Sequence, residues 1–169
     1  MNTPPPNQNS KGKIFSFSTL LFLLLLCVYL QGFFQRDLWP PDEIRVAEIA
    51  REMKERNSFI PYLNGKPFLE KPFLHYYLVS LSFQAFGENP VAARIPSLFF
   101  TFLTFFLLFL MGKAFQKPHW GIWSIFFLGL FQTFLLSSWL AILDNSLTFF
   151  TLLSLYGFLR ANLKQKEAS

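Results

Sequence analysis

The chain has 169 residues, of which 52% are hydrophobic, 20% are aromatic and only 15% are charged. This composition excludes an ordinary soluble domain of this size and indicates a membrane protein. The formal net charge of +5 does not indicate a nucleic acid partner, because the excess lysines lie beside apolar runs, where they set membrane orientation. The single cysteine, Cys27, lies inside an apolar run, which excludes a disulfide framework and a cysteine-based metal site.

The N-terminal part of the chain predicts a tail followed by a membrane helix. Residues 1–13 are rich in proline, asparagine and serine and predict a disordered tail. Residues 14–34 carry no charge and are long enough to cross the hydrocarbon core of a bilayer. A secretory signal peptide is the alternative, but it would have a shorter apolar core and a small-residue cleavage site. We therefore predict a retained transmembrane helix over 14–34.

Residues 35–94 predict a long loop that carries two helices at the membrane surface. After Pro40 and Pro41, apolar side chains at helical spacing (Val46, Ile49, Ala50 and Met53) with charged side chains opposite predict an amphipathic helix that ends near residues 57–58. Residues 73–86 are apolar, but at 1.5 Å rise per residue a helix there is too short to cross. We expect it to lie in the interface. The proline-rich stretch between these helices predicts an ordered but irregular loop.

Three further apolar runs complete the predicted membrane region, which covers 14–160. They predict transmembrane helices at about 95–115, 120–143 and 145–159. With four crossings, the short basic loops and both termini share one side, which the positive-inside rule assigns to the cytoplasm. The prediction is an all-α, polytopic inner-membrane protein whose loop 35–94 faces outward and whose residues 161–169 form a cytoplasmic tail.

Three charged residues of the predicted outer side are candidates for a functional site. Asp42 begins the amphipathic helix, where it either caps the helix or orients and deprotonates an acceptor. Lys71 either extends to solvent from the surface or binds the phosphate of a lipid. Asp144 interrupts a long apolar stretch, where it either lies in a turn and caps the next helix or faces the same outer cavity as Asp42. The residues alone leave these alternatives open.

Four stretches of the sequence resemble, in order and spacing, one class of membrane enzymes. These stretches are DEIRVAEIAREM (42–53), IPYLNGKPFLEKPFLHYYL (60–78), GENPVAARIPS (87–97) and AILDNSLTFF (141–150). They are similar to the N-terminal part of the superfamily C glycosyltransferases, which use lipid-linked sugars. The nearest resemblance is to bacterial aminoarabinose transferases that modify lipid A and to their protein O-mannosyltransferase relatives.

The resemblance implies an activity and a role for individual residues. The activity is the transfer of a sugar from a polyprenyl phosphate to lipid A, another glycan or a protein at the outer face of the inner membrane. No cofactor is certain, but a divalent metal ion can bind near one acid in relatives. The resemblance implies a catalytic role for Asp42 and Asp144. It implies that Lys71 and Arg45 bind the donor phosphate. The acids Glu43 and Glu70 have supporting roles, and Glu70 is the one that could approach a metal ion.

The sequence also departs from the family pattern. Val46 stands where relatives often have an aromatic residue, and family members have many more transmembrane helices than the four predicted here. The expectations are therefore a fragment, a truncated gene product, or a subunit for which a second chain supplies the remaining helices. The alternative is a non-catalytic membrane protein that binds polyprenyl lipid or scaffolds a partner. A channel or transporter is disfavoured, because no predicted span carries an ionisable residue near its middle.

Overall fold

The computed structural model describes residues 19–20, 23–31, 34 and 37–168. Helices dominate these residues, which confirms the mostly helical fold predicted from the sequence. The predicted tail 1–13 and part of the predicted helix 14–34 lie outside the described residues. After helical residues at 23–31, the elements in chain order are α1 (Asp42–Arg56), β1 (Tyr62–Leu63), β2 (Lys66–Pro67), α2 (Phe73–Phe86), α3 (Pro90–Ala114), α4 (Pro118–Leu130), α5 (Gln132–Trp139) and α6 (Asp144–Ala168).

Helix α1 is the predicted amphipathic helix. Acidic residues occupy its first turn and basic residues its last turn, which suits the helix dipole. Its apolar face, which includes Ile49 and Met53, packs against Tyr76 and Val79 of α2 in one buried cluster. The helix ends at Asn57, which adopts a left-handed conformation with φ 47°. This packing fixes α1 and α2 as one unit.

A short β-hairpin lies where an irregular loop was predicted. Asn64 and Gly65 have φ of 54° and 77°, as required at both central positions of the tight turn that Asn-Gly favours. They connect β1 to β2, with Leu63 paired with Lys66. The backbone N–H of Gly65 donates to the carboxylate of Glu52 at 3.1 Å. The turn chemistry therefore forms a strand pair that is held on α1, and the all-α prediction is wrong for these few residues.

Two side-chain hydrogen bonds stabilise the connection between α2 and α3, and one of them replaces a backbone hydrogen bond that a proline cannot make. Asn89 caps α3 by accepting from the N–H of Ala92 at 2.9 Å. Pro96 lies inside α3 and has no N–H for the carbonyl of Ala92. The hydroxyl of Ser82 in α2 donates to that carbonyl at 2.7 Å. A side chain of α2 thus replaces the missing bond of α3.

The long apolar run that was predicted as one helix over 120–143 is broken. Helices α4 and α5 meet at Phe131 with a bend of 71°. The bend directs Ser137 and Ser138 into buried contacts with α3 and α6. The run has no proline and no charge at the break, where Gln132 and Thr133 follow Phe131, which is why an uninterrupted helix was expected.

Helices α3 and α4 form a close hairpin. A Cβ atom on Gly112 would lie 2.7 Å from the backbone nitrogen of Gly121, so glycine is required at this crossing. By length and composition, among the described residues α3 alone can cross a membrane as a single helix, and the bent pair α4–α5 can provide a second span. The predicted span 145–159 lies within α6, which continues as a helix through most of the predicted tail 161–169. Four crossings remain a prediction.

We expect Ser82→Ala to destabilise the fold by about 1–3 kcal/mol, because it leaves the carbonyl of Ala92 buried without a donor. Adding Pro96→Ala restores a backbone N–H for that carbonyl and should recover most of the loss. Thermal unfolding of the single and double variants in detergent measures this coupling. Additive losses in the double variant would contradict the compensation.

Candidate functional site

Glu43 lies at the centre of the junction between the outer elements. Its side chain is 1% exposed, and it accepts hydrogen bonds from Nε of Arg94 at 2.8 Å and from Nη2 of Arg94 at 3.0 Å. It also accepts from the backbone N–H groups of Trp39 and Ala141, both at 2.7 Å. One carboxylate therefore connects the start of α1 to α3 and to the loop before α6.

The charge of Glu43 is stabilised in this buried position. Burial alone would raise its pKa, but the hydrogen bonds from Arg94 and from the two backbone N–H groups together outweigh that effect and lower the pKa. Arg94 is also fully buried, and its Nη2 donates to the carbonyl of Asp37 at 2.9 Å. The pair is therefore ionised and hydrogen-bonded, as a buried pair must be to avoid a large penalty.

Arg94 is a site residue that sequence reasoning missed. It was counted only among the mixed charges of the long loop, although it lies at the edge of an apolar helix. An arginine beside a membrane segment needs a partner or a route to water. That rule, applied to Arg94, would have predicted that it needs a partner, without showing which acid provides it.

Asp42 is the first residue of α1 and is exposed. The residue in the N-cap position is Pro41, and no side chain caps this end of the helix. The capping role considered for Asp42 is therefore not seen, although its charge remains in the first turn. Its carboxylate instead forms an ion pair with Arg45, one turn further along the same face.

Tyr76 is a buried phenol in the helix that follows Glu70 and Lys71. The phenol belongs to α2, is 2% exposed, and packs edge-on against Phe68 at 6.2 Å between ring centroids. Burial raises the pKa of Tyr76, the charge of Arg45 lowers it, and the charges of Glu70 and Asp42 raise it. Sequence reasoning did not single out Tyr76, because an aromatic residue in an apolar helix carries no distinctive signal.

Lys71 lies beside Glu70, just before α2 begins, and its side chain is exposed. Among the residues that the structure describes, it takes part in no ion pair. Its ammonium group can therefore meet an anion without first giving up a partner. This property distinguishes it from Arg45, whose charge is already balanced by Asp42.

The described part of the chain does not provide a complete metal site. It contains no group of three or more His, Cys, Asp or Glu side chains that could hold an ion. Glu70 therefore has no ligand set around it, and we derive no step through a metal. His75 is 2% exposed, and neither ring nitrogen has a hydrogen-bond partner within the part of the chain that the structure describes. Burial lowers the pKa of His75 to about 4, so its ring is neutral at pH 7.

Asp144 is exposed and is the first residue of α6. The turn that precedes it lies at 140–143, so Asp144 begins the helix and does not lie in the turn. Ala141 of that turn donates to Glu43, which places the loop carrying Asp144 against the start of α1. Among the described residues, the Asp144 side chain forms no ion pair with the other predicted site residues.

Arg94→Met should destabilise the protein by roughly 3–5 kcal/mol, because it leaves the carboxylate of Glu43 buried without its cation. Combining it with Glu43→Gln removes the uncompensated charge and should recover much of this loss. The measurement is thermal unfolding in detergent. Arg51→Met is the matched control, since Arg51 forms exposed ion pairs on α1, and it should leave the unfolding temperature unchanged.

The same pair makes stability depend on pH. Because the folded-state pKa of Glu43 lies below its ordinary value of 4.5, its stabilisation is complete above pH 4.5 and is lost as the pH falls through the lowered pKa. The double variant lacks this carboxylate and should lose less stability over that range. An equal loss in both proteins would show that other acids dominate.

The chain matches known families over most of its length. A family model described as dolichyl-phosphate-mannose-protein mannosyltransferase matches residues 14–169. The undecaprenyl phosphate-alpha-4-amino-4-deoxy-L-arabinose arabinosyl transferase of Wigglesworthia glossinidia brevipalpis is 35% identical over 89% of this chain and 27% of its own length. The enzyme of the same name from Shewanella sediminis (strain HAW-EB3) is 38% identical over 69% of this chain and 22% of its own length.

Solved structures support the same fold. The crystal structure of ArnT from Cupriavidus metallidurans bound to undecaprenyl phosphate has a TM-score of 0.72 and 23% identity, and it covers 85% of this chain and 27% of that chain. Its apo structure has a TM-score of 0.73 and 22% identity, and it covers 87% of this chain and 28% of that chain. The chain thus spans about a quarter of the length of these relatives. It belongs to the dolichyl-phosphate-mannose-protein mannosyltransferase family and corresponds to the N-terminal part of an ArnT-like superfamily C glycosyltransferase.

Proposed function

We propose that the chain contributes the outer-face site of an enzyme that transfers a sugar from a polyprenyl phosphate to an acceptor. The acceptor is lipid A, another glycan or a protein. The observation that carries this proposal is the junction at Glu43, because it brings the helix that begins with Asp42 against the loop that leads to Asp144. Exposed acids on a buried, hydrogen-bonded support are suited to act on a substrate.

The relatives support the class of donor. Two of them are named as transferases that use an undecaprenyl phosphate-linked aminosugar, and a solved relative of the same fold is described as bound to undecaprenyl phosphate. For this chain we propose the same chemical class, a sugar on a polyprenyl phosphate. Lipid A is the acceptor that the aminoarabinose transferases suggest.

The proposed reaction needs one base and at least one cation. The hydroxyl oxygen of the acceptor attacks the anomeric carbon of the sugar, and the bond from that carbon to the phosphate oxygen breaks. The bonding electron pair leaves with the polyprenyl phosphate, whose added charge Lys71 stabilises. Asp42 accepts the proton of the attacking hydroxyl. Asp144 orients the acceptor from the second outer loop.

The proposed topology has four crossings, with the two termini in the cytoplasm. Short basic loops then face the cytoplasm, and Asp42, Lys71 and Asp144 share the periplasmic face. The exposed aromatic residues of α3, α4 and α6 then contact lipid or further membrane helices. Such helices, from the same chain or from a second chain, complete the cavity around the donor.

Asp42→Asn should lower sugar transfer by about a hundredfold or more, because the amide cannot accept the acceptor's proton. The assay follows radiolabelled sugar from undecaprenyl phosphate to lipid A in membrane vesicles that contain the protein. Asp37→Asn is the matched control, since Asp37 is an exposed acid of the same loop whose contact with Arg94 uses only its backbone carbonyl. Undiminished transfer by the Asp42 variant would remove it from the catalytic step.

Lys71→Ala should weaken binding of undecaprenyl phosphate by about ten- to a hundredfold, because a charge-assisted bond to phosphate is lost. Lys66→Ala, at an exposed position of the nearby hairpin, is the control and should not change affinity. Titration of the labelled lipid into the purified protein gives both values. If Lys71 controls lipid affinity but no variant or wild-type protein transfers sugar, the chain is a lipid-binding protein and not a transferase.

A further inference from the structure

A buried polar cluster lies where α3, α5 and α6 meet. It consists of Thr101, Ser137, Ser138 and Asn145, all of which are buried. Nδ2 of Asn145 lies 2.6 Å from Oγ1 of Thr101 and 2.9 Å from Oγ of Ser138. Oγ of Ser137 lies 2.6 Å from Oδ1 of Asn145. The amide of Asn145 therefore uses its donors and its acceptor across two other helices.

The hydroxyl groups of the cluster do not need Asn145. Oγ1 of Thr101 lies 2.9 Å from the carbonyl of Ser97 in its own helix. The hydroxyls of Ser137 and Ser138 lie 2.9 Å and 2.7 Å from the carbonyl of Phe134. Each hydroxyl thus has an acceptor one turn earlier in its own helix, whereas the hydrogen bonds of the Asn145 side chain all cross to other helices. The asymmetry indicates that the cluster serves to fix Asn145.

The residues before Asn145 are also held by buried groups. Glu43 accepts from the N–H of Ala141 at 2.7 Å, and the hydroxyl of Ser97 donates to the carbonyl of Ile142 at 3.1 Å. Asp144 is exposed and lies between these contacts and Asn145. Hydrogen bonds therefore hold the chain before Asp144, at residues 141 and 142, and after it, at Asn145, while the Asp144 side chain is exposed.

We propose that Asn145 is a positioning residue that holds the carboxylate of Asp144 in place at the outer site. This inference rests on the proposed transfer reaction for its catalytic consequence. Asn145 is adjacent to Asp144 in the first turn of α6, so any rotation of that turn moves the carboxylate. A displacement of about 1 Å in a site can lower a rate by about a hundredfold. An amide buried among apolar helices is costly unless it is fully bonded, and here the bonds that satisfy it also direct its neighbour.

Asn145→Val tests the proposal, and Asn162→Val is its matched control. Asn162 lies in the same helix, is exposed, and donates only to the carbonyl of Phe158 in its own helix. In the vesicle transfer assay, Asn145→Val should lower kcat by roughly ten- to a hundredfold. The KM for the undecaprenyl phosphate-linked sugar should stay within about twofold, because Lys71 lies in the other outer loop. Asn162→Val should change neither value.

Hydrogen–deuterium exchange provides a readout that does not depend on activity. In Asn145→Val, amides of residues 141–147 should exchange faster, while those of α1 and α2 keep the wild-type rate, because the hydroxyls remain bonded and the fold stays intact. Unchanged exchange at 141–147 overturns the proposal. Faster exchange in every helix, with a general loss of thermal stability, also overturns it, because Asn145 is then a structural residue only. If wild-type protein transfers no sugar, the proposed function fails, and the exchange pattern alone decides whether Asn145 positions Asp144.

Discussion

The buried ion pair between Glu43 and Arg94 is the constraint on which the arrangement of α1, α3 and the loop before α6 depends. Removing either partner would strand a charge in a position without water, at a cost of several kcal/mol. The start of α3 and the loop at Ala141 can therefore be placed only where Arg94 and the Ala141 N–H reach the Glu43 carboxylate in the first turn of α1. Asp42, the residue next to Glu43, takes its position from this junction without contributing a bond to it.

The same arrangement occurs twice in the chain. In each outer loop an exposed acid is followed by a buried polar residue: Asp42 by Glu43, and Asp144 by Asn145. In both cases the buried residue makes several hydrogen bonds to other elements. The exposed acid contributes none of these bonds, although Asp42 is paired with Arg45 of its own helix. One residue thus makes the structural hydrogen bonds, and its exposed neighbour is the proposed reactive group. The acid can stay hydrated while its backbone is held in place, as preorganisation of a site requires.

The sequence predicted those parts of the fold that have a periodic or length-dependent signal. Helix α1 follows from its apolar spacing, and α2 follows from an apolar run bounded by Pro72 and Gly87. The bend at Phe131 was not predicted, because the run around it has no proline or charge, although Gln132 and Thr133 follow Phe131 directly. The contacts made after the bend are with distant helices. The hairpin at Asn64 had a known turn signal, but its strands have two residues each, too few for a period to be visible.

The sequence identified the exposed charged residues of the candidate site, but it did not identify the buried residues that hold them in place. The resemblance identified Asp42, Lys71 and Asp144 from their motifs. Arg94 and Asn145 were missed because the sequence shows Arg94 only as the last residue of the predicted loop 35–94 and Asn145 only as the neighbour of Asp144. Their roles depend on partners that are remote in sequence, such as Glu43 for Arg94, and a single sequence contains no direct record of those contacts.

The two proposed phosphate-binding residues, Lys71 and Arg45, differ in whether a neighbouring acid already balances their charge. Stabilisation of a leaving phosphate is most effective when the cation is already in place and not neutralised by a neighbour. Arg45 is paired with Asp42, whereas Lys71 has no ion pair among the described residues. A donor phosphate that approaches Arg45 must compete with Asp42, and one that approaches Lys71 does not. In the proposed reaction, Lys71 therefore carries most of the phosphate interaction, and Arg45 mainly orients the carboxylate that receives the proton.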